Sequence, residues 1–173
     1  MTRAEEFNGD LSRFLNDYEY QPELTRRLDD LKEATVITQS LINEIVLWKL
    51  DRYVSLDGGQ LSQIATVAAL KPREHRKALP VLEELLEVHG VDLPMASTLL
   101  RFRNPAVFQI IDRHAYRALY GRDFKLSTKT SKKIEAYFEY LDDLRRLCDM
   151  KGLPFETSDR ALYIFDKKTN GRL

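Results

Sequence analysis

Apolar side chains in this chain recur every three or four residues, and no stretch of useful length alternates apolar with polar. A period near 3.6 puts those groups on one face of a helix, whereas a half-buried strand needs a period of two. The core must therefore be built from helices. The fold class expected is all-α, with about nine or ten helices in a compact multi-helix unit.

Breakers and caps divide the pattern. Helices are expected over Glu5 to Tyr18, Pro22 to Glu33 and Thr35 to Val54. The third is the most apolar (Val36, Ile37, Leu41, Ile42, Ile45, Val46, Trp48, Leu50) and should be the central buried helix. Asp57-Gly58-Gly59 is a break, followed by helices at Leu61 to Leu70 and Glu74 to Val88. In the latter, Leu79, Leu82, Leu85 and Leu86 should face inward, with Pro80 kinking or restarting it. Further helices are expected at Leu93 to Phe102, Asp112 to Tyr120 and Ser131 to Met150. A last one runs to about Asp166, capped by Ser158 or Asp159. Val107 to Ile111 is short enough to be extended, and the polar tail 167–173 should fray.

A chain of 173 residues is one domain over 1–173, or two small helical lobes sharing a core. Seven Gly and six Pro exclude collagen-like and Pro-rich classes. A single cysteine, Cys148, excludes an internal disulfide and a Cys-rich zinc site. His75, His89 and His114 are too scattered for a metal-ligand spacing, so no metal and no organic cofactor is expected. No apolar run reaches membrane-spanning length and the N-terminus lacks a signal-peptide core, so the expectation is an intracellular protein, cytoplasmic or nucleoid-associated, with no membrane partner. Nothing in the sequence implies an oligomer.

Twenty-seven basic and twenty-seven acidic residues cancel overall but not locally. Met1 to Ala34 holds nine acids and five bases, a balance of −4. Arg101 to Lys133 holds nine bases and two acids, a balance of +7. A basic cluster of that kind suits a polyanion. The alternative is a solvated basic face paired with acidic helices.

Beside the cluster lies Leu86-Glu-Val-His89-Gly90-Val91-Asp92-Leu-Pro94-Met-Ala96. One apolar helix ends, a Gly permits a positive φ, Val91 plugs the turn, and a second helix begins with Pro94 in its first turn. Ala96 is small enough for close helix approach. Eighteen residues after Pro94 comes Asp112, preceded by two Ile and followed by His114, Arg117 and Gly121.

Over about 79–102 the layout resembles a helix–hairpin–helix motif, which aims backbone N–H groups and a helix N-terminus at a DNA phosphate. Asp92 stands where the motif has its second Gly. With the downstream Asp, the His two residues on, the Arg five on and the closing Gly, Leu85 to Gly121 is similar to the helix–hairpin–helix DNA glycosylase superfamily (the endonuclease III-like, Gly/Pro-rich-loop-and-Asp family). That stretch is about a fifth of the chain. The resemblance implies a divergent, short member, binding double-stranded DNA with one base flipped out. Asp112 would be the catalytic carboxylate. Bifunctional members carry a lyase lysine where this chain has Pro94, and proline forms no Schiff base. A monofunctional enzyme is therefore implied.

The remaining site residues follow from the same resemblance. His89, Gly90, Val91, Asp92, Arg101, Arg103, Arg113, His114 and Arg117 would contact DNA. Trp48, Tyr53, Tyr116, Tyr120 and Tyr163 are candidate walls of a base pocket, bordered by Asp159 and Arg160. Lys49 is the candidate for a catalytic lysine outside the hairpin, against Lys49 as a snorkelling surface residue beside a core Trp48. The hairpin carbonyls would allow a monovalent cation. Independently, a carboxylate at a helix start can stabilise an oxocarbenium-like sugar or orient water, or simply cap its helix. A non-catalytic DNA-binding module and a helical protein-interaction domain are the competing expectations.

Overall fold

The computed structural model describes residues 15, 21–30, 37–50 and 54–171. The chain divides into two compact units, Met1–Tyr53 and Val54–Leu173. The described residues form helices and loops, with no strand among them. The expected helix at Glu5 to Tyr18, the end of the second helix toward Glu33, the start of the third at Thr35 and Val36, and Tyr53 lie outside the described residues.

In the first unit, α1 (Pro22–Asp29) starts on proline and α2 (Gln39–Lys49) starts on Thr38, whose hydroxyl accepts the Leu41 N–H at 3.2 Å. The Trp48 indole N–H donates to Thr25 Oγ1 at 2.8 Å, and Arg27 pairs with Glu44 at 2.7 Å, so α1 is tied to α2 twice. The expectation of a central buried helix is corrected. Leu41 is the buried residue of α2, while Ile45 and Val46 stay 38% and 48% exposed. The described part of this unit gives α2 an eight-residue partner, too short to cover its apolar stripe.

The second unit carries the main core. Asp57 and Gln60 form a reciprocal capping box that starts α3 (Gly58–Thr66). A 3-10 turn follows at Val67–Ala69, and another at His75–Ala78 leads into α4 (Leu79–Glu87). Pro80 sits in the first turn of α4, so it restarts the helix rather than kinking it. The restart turns Leu79 outward, 42% exposed, contrary to expectation, while Leu82 and Leu85 are buried and Leu86 packs on the core edge. Then come α5 (Leu93–Arg103), α6 (Arg113–Tyr120), α7 (Thr130–Lys151), a 3-10 turn at Phe155–Thr157 and α8 (Ser158–Thr169). Residues 108–112 run without helix between α5 and α6.

Leu82, Leu93, Leu100, Phe108, Ile111, Tyr137, Tyr140 and Leu144 are essentially inaccessible and form one contiguous core. Each buried aliphatic or aromatic side chain contributes about 1.5–3 kcal/mol. The two buried tyrosines also hold the non-helical segment. Tyr137 donates to Gln109 O at 3.0 Å and Tyr140 to Ile110 O at 2.9 Å. Asn104 closes α5 and donates to Val67 O and Leu70 O at 2.8 and 3.0 Å, binding the 3-10 turn to it. The segment that delivers Asp112 is thus anchored by α7 from below.

Candidate functional site

A turn over residues 88–92 joins α4 and α5. Gly90 takes φ +82°, a conformation open to glycine, and the Val91 N–H closes the turn on Val88 O at 3.0 Å. Val91 is buried while His89, Gly90 and Asp92 are exposed. Asp92 is extended, at φ −112°, so its position needs no glycine here. Its Oδ1 accepts the Leu93 N–H and Lys133 Nζ, both at 2.7 Å. Burial raises its carboxyl, but these bonds outweigh that and hold it below the ordinary aspartate value. The charge that would oppose a phosphate is therefore matched by Lys133.

Pro94 is the second residue of α5, and its carbonyl accepts the Ser97 and Thr98 hydroxyls at 2.8 and 2.7 Å. The buried Ser97 Oγ also accepts the Ile111 N–H at 3.2 Å. One side chain thus joins the first turns of the hairpin helix to the residue before Asp112.

Asp112 caps α6. Its Oδ1 accepts the Ala115 N–H at 2.7 Å, while Oδ2 carries no hydrogen bond among the described residues. The half-buried carboxylate lines a cavity of about 350 Å³ together with Ile110, Asp159, Arg160, Tyr163 and Ile164. That is the lower part of the size range of small-ligand pockets. The helix cap and the cavity wall are therefore the same residue.

The opposite wall is α8. Asp159, Tyr163 and Asp166 follow at intervals of four and three residues, which puts them on one helix face. Asp166 is wholly buried and is the polar knot between α6 and α8. It accepts Arg117 Nε at 2.9 Å, an Arg117 terminal nitrogen at 2.8 Å, His114 Nδ1 at 2.7 Å and Asn170 Nδ2 at 2.8 Å. The Arg117 bonds chiefly, then those from Asn170 and His114, hold its carboxyl far below the ordinary range against the opposing effect of burial. His114 also meets Tyr163 edge-on at 4.9 Å, which sets the aromatic wall of the cavity. Contrary to expectation, α8 is entered from a 3-10 turn without a side-chain cap, and Ser158 donates back to Phe155 O at 2.7 Å. The expected frayed tail is likewise corrected through Gly171: Thr169 ends α8, Asn170 binds Asp166, and Gly171 O accepts Arg117 at 3.0 Å.

Several expected DNA contacts are thereby redirected. His114 Nδ1 and the Arg117 Nε and one terminal nitrogen are committed to Asp166, so these donors hold the fold. Arg101 is 7% exposed and donates to Glu156 O at 2.9 Å, with Asp159 3.5 Å away. Arg103 is exposed and reaches Ala65 O at 3.3 Å. Arg113 is exposed at the start of α6 with no hydrogen bond or ion pair among the described residues. Lys125, Lys129 and Lys132 are exposed too.

Tyr116 does not join the Asp112 cavity. It stacks on Phe124 at 4.7 Å and lines a separate cavity with Arg122, Asp123 and Lys125. Tyr120 donates to Asp143 at 2.8 Å beside another hollow bordered by Met150. Trp48 and the exposed Lys49 belong to the first unit, and Asp112 to the second. Among the described residues no cluster of His, Cys, Asp or Glu is arranged to hold a metal, and no helix is long and apolar enough to cross a membrane.

Comparison with protein-family models, with curated proteins and with solved structures finds no match. The resemblance rests on the residues of Leu85 to Gly121.

Ser97 and Asp166 are the site residues that sequence reasoning passed over. Ser97 had no distinguishing signal. Asp166 had one: it falls on the same helix face as Asp159 and Tyr163.

Proposed function

We propose that this chain is a monofunctional DNA N-glycosylase of the helix–hairpin–helix type. One observation carries the reading: Asp112 lines a cavity while the backbone N–H of Ile111, the residue before it, is tied to Ser97 of α5. A phosphate bound at the turn would thus be in fixed relation to the carboxylate. Exposed Arg113, Lys125, Lys129 and Lys132 supply charge for the DNA backbone.

In the proposed reaction the C1′–N bond of an extruded nucleotide breaks, and its electron pair leaves with the base. Asp112 Oδ2 faces the positive charge that builds on the sugar. It then takes a proton from water as the water oxygen bonds to C1′. The products are the free base, protonated by solvent, and an abasic site. Pro94 supplies no amine at the hairpin, so the strand stays intact.

The test is a panel of duplexes, each with one damaged or mismatched base. Abasic sites are expected without strand cleavage, and borohydride should trap no protein–DNA adduct. Borohydride trapping with strand scission would place an amine nucleophile in the reaction and overturn the monofunctional reading. Salt-dependent binding with no base released across the panel would leave a DNA-binding module.

A further inference from the structure

The α8 wall of the Asp112 cavity carries an aromatic ring between two cations. Arg160, Tyr163 and Ile164 line the cavity from α8, and Lys167 follows one turn after Tyr163. Helix positions three, four and seven residues apart share one face. The Lys167 ammonium lies 5.0 Å from the Tyr163 ring centroid and donates to its hydroxyl at 3.3 Å. His114 meets Tyr163 edge-on at 4.9 Å and is itself fixed on Asp166 at 2.7 Å, so the ring is held in place. Arg160 and Lys167 are exposed, and neither side chain pairs with a carboxylate among the described residues. At about 1.5 Å of rise per residue, the two cations leave the helix roughly 10 Å apart along its axis. An exposed cation–aromatic contact is weak, so Lys167 exchanges the ring for an anion at little cost.

We propose that this face of α8 grips the strand at the extruded nucleotide: Tyr163 and Ile164 pack against its base and sugar, while Arg160 and Lys167 take the phosphates on its two sides. This rests on the reading that the cavity receives an extruded nucleotide. A nucleotide within a strand has the matching layout, a flat base and an apolar sugar edge with a phosphate before and after. Aromatic side chains and flanking cations are the groups that hold such a unit without reading its sequence. The two cations come from one helix, so they fix the strand relative to the cavity as a unit. The α8 face thus recognises a strand with both neighbouring phosphates present, and a base alone is a poor ligand for it.

A duplex with one bulged thymidine supplies an extrahelical nucleotide and tests this by binding titration. The full chain should bind it about 10-fold tighter than the paired duplex. Replacing the two phosphates beside the bulge by neutral methylphosphonates should abolish that preference. Arg160→Gln and Lys167→Gln are surface changes away from the buried Asp166 knot. Each should lower the preference several-fold and flatten the dependence of log affinity on log salt by about 0.9. Thymidine 3′,5′-bisphosphate is the control for a free-nucleotide site. If it binds as tightly as the bulged duplex, the strand assignment is overturned. No preference for the bulge, or a preference that survives the methylphosphonates, also overturns the inference. If damaged bases are released while both Gln variants keep wild-type affinity and salt slope, the inference falls and the glycosylase reading stands. If no base is released from any duplex but the bulge preference depends on both phosphates and both cations, the inference stands and the glycosylase reading falls. The methylphosphonate duplexes are read with the wild-type chain, so the outcome does not depend on any variant folding.

Discussion

Gly90 and Asp92 show how differently two residues of one turn are constrained. Gly90 sits at φ +82°, and a Cβ added there would meet only Val54 Cγ2 at 3.9 Å. The penalty for Gly90→Ala is therefore conformational rather than steric. It should cost about 1–2 kcal/mol of unfolding free energy, read from denaturant titration, with no change in the slope of the transition. Asp92 has no such constraint, because its backbone is extended. Aspartate sits there at no conformational cost and uses its side chain to cap α5 and to bind Lys133. Asp92→Asn removes the negative charge and frees Lys133. Affinity for duplex DNA should rise several-fold at low salt, and the dependence of log affinity on log salt should steepen by about 0.9. An unchanged salt slope would mean that Lys133 does not face the DNA.

Among the elements, α6 and α8 form the clearest designed contact. The knot at Asp166 binds two side chains of α6, Arg117 and His114, and the end of α8 at once. Because its folded carboxyl is depressed, the stability it contributes is present above the unfolded aspartate value, about 4, and is lost as pH falls through the folded value. Acid unfolding of the wild type should therefore include a component below about pH 4 that Asp166→Asn lacks. At neutral pH the same variant should be less stable by about 2 kcal/mol or more, since Arg117 and His114 lose their common acceptor. Thermal melts from pH 7 down to 3 check both. The sequence made α6 legible through its Asp cap and closing Gly121. It left the use of Arg117 and His114 illegible, because their partner lies 49 and 52 residues away. Spacing shows which face a side chain occupies, not which distant acceptor claims it. Likewise α2 reads as a core helix from its apolar content, yet its described neighbours bury Leu41 alone.

At the scale of the whole molecule, the all-helical architecture was readable because a single period runs through most of the chain. The order of α3 to α8 followed from Gly, Pro and Asp punctuation. The core is assembled by contacts that no local pattern announces, such as Tyr137 and Tyr140 holding 109–110, and Ser97 holding Ile111. The Asp112 cavity belongs to this class. Its two walls come from residues nearly fifty positions apart, and the second was named beforehand only as what the resemblance implies, through Tyr163, Asp159 and Arg160. The central claim is that Asp112 acts on a sugar in that cavity as well as capping α6. Asn can still cap through its side-chain oxygen, so Asp112→Asn separates the two roles. The decisive measurement is single-turnover base release by Asp112→Asn beside its DNA affinity, on a duplex that the wild-type chain processes. Release should fall by at least about 100-fold while affinity is kept or increased. Wild-type release by a folded Asp112→Asn would contradict the assignment and leave Asp112 a helix cap.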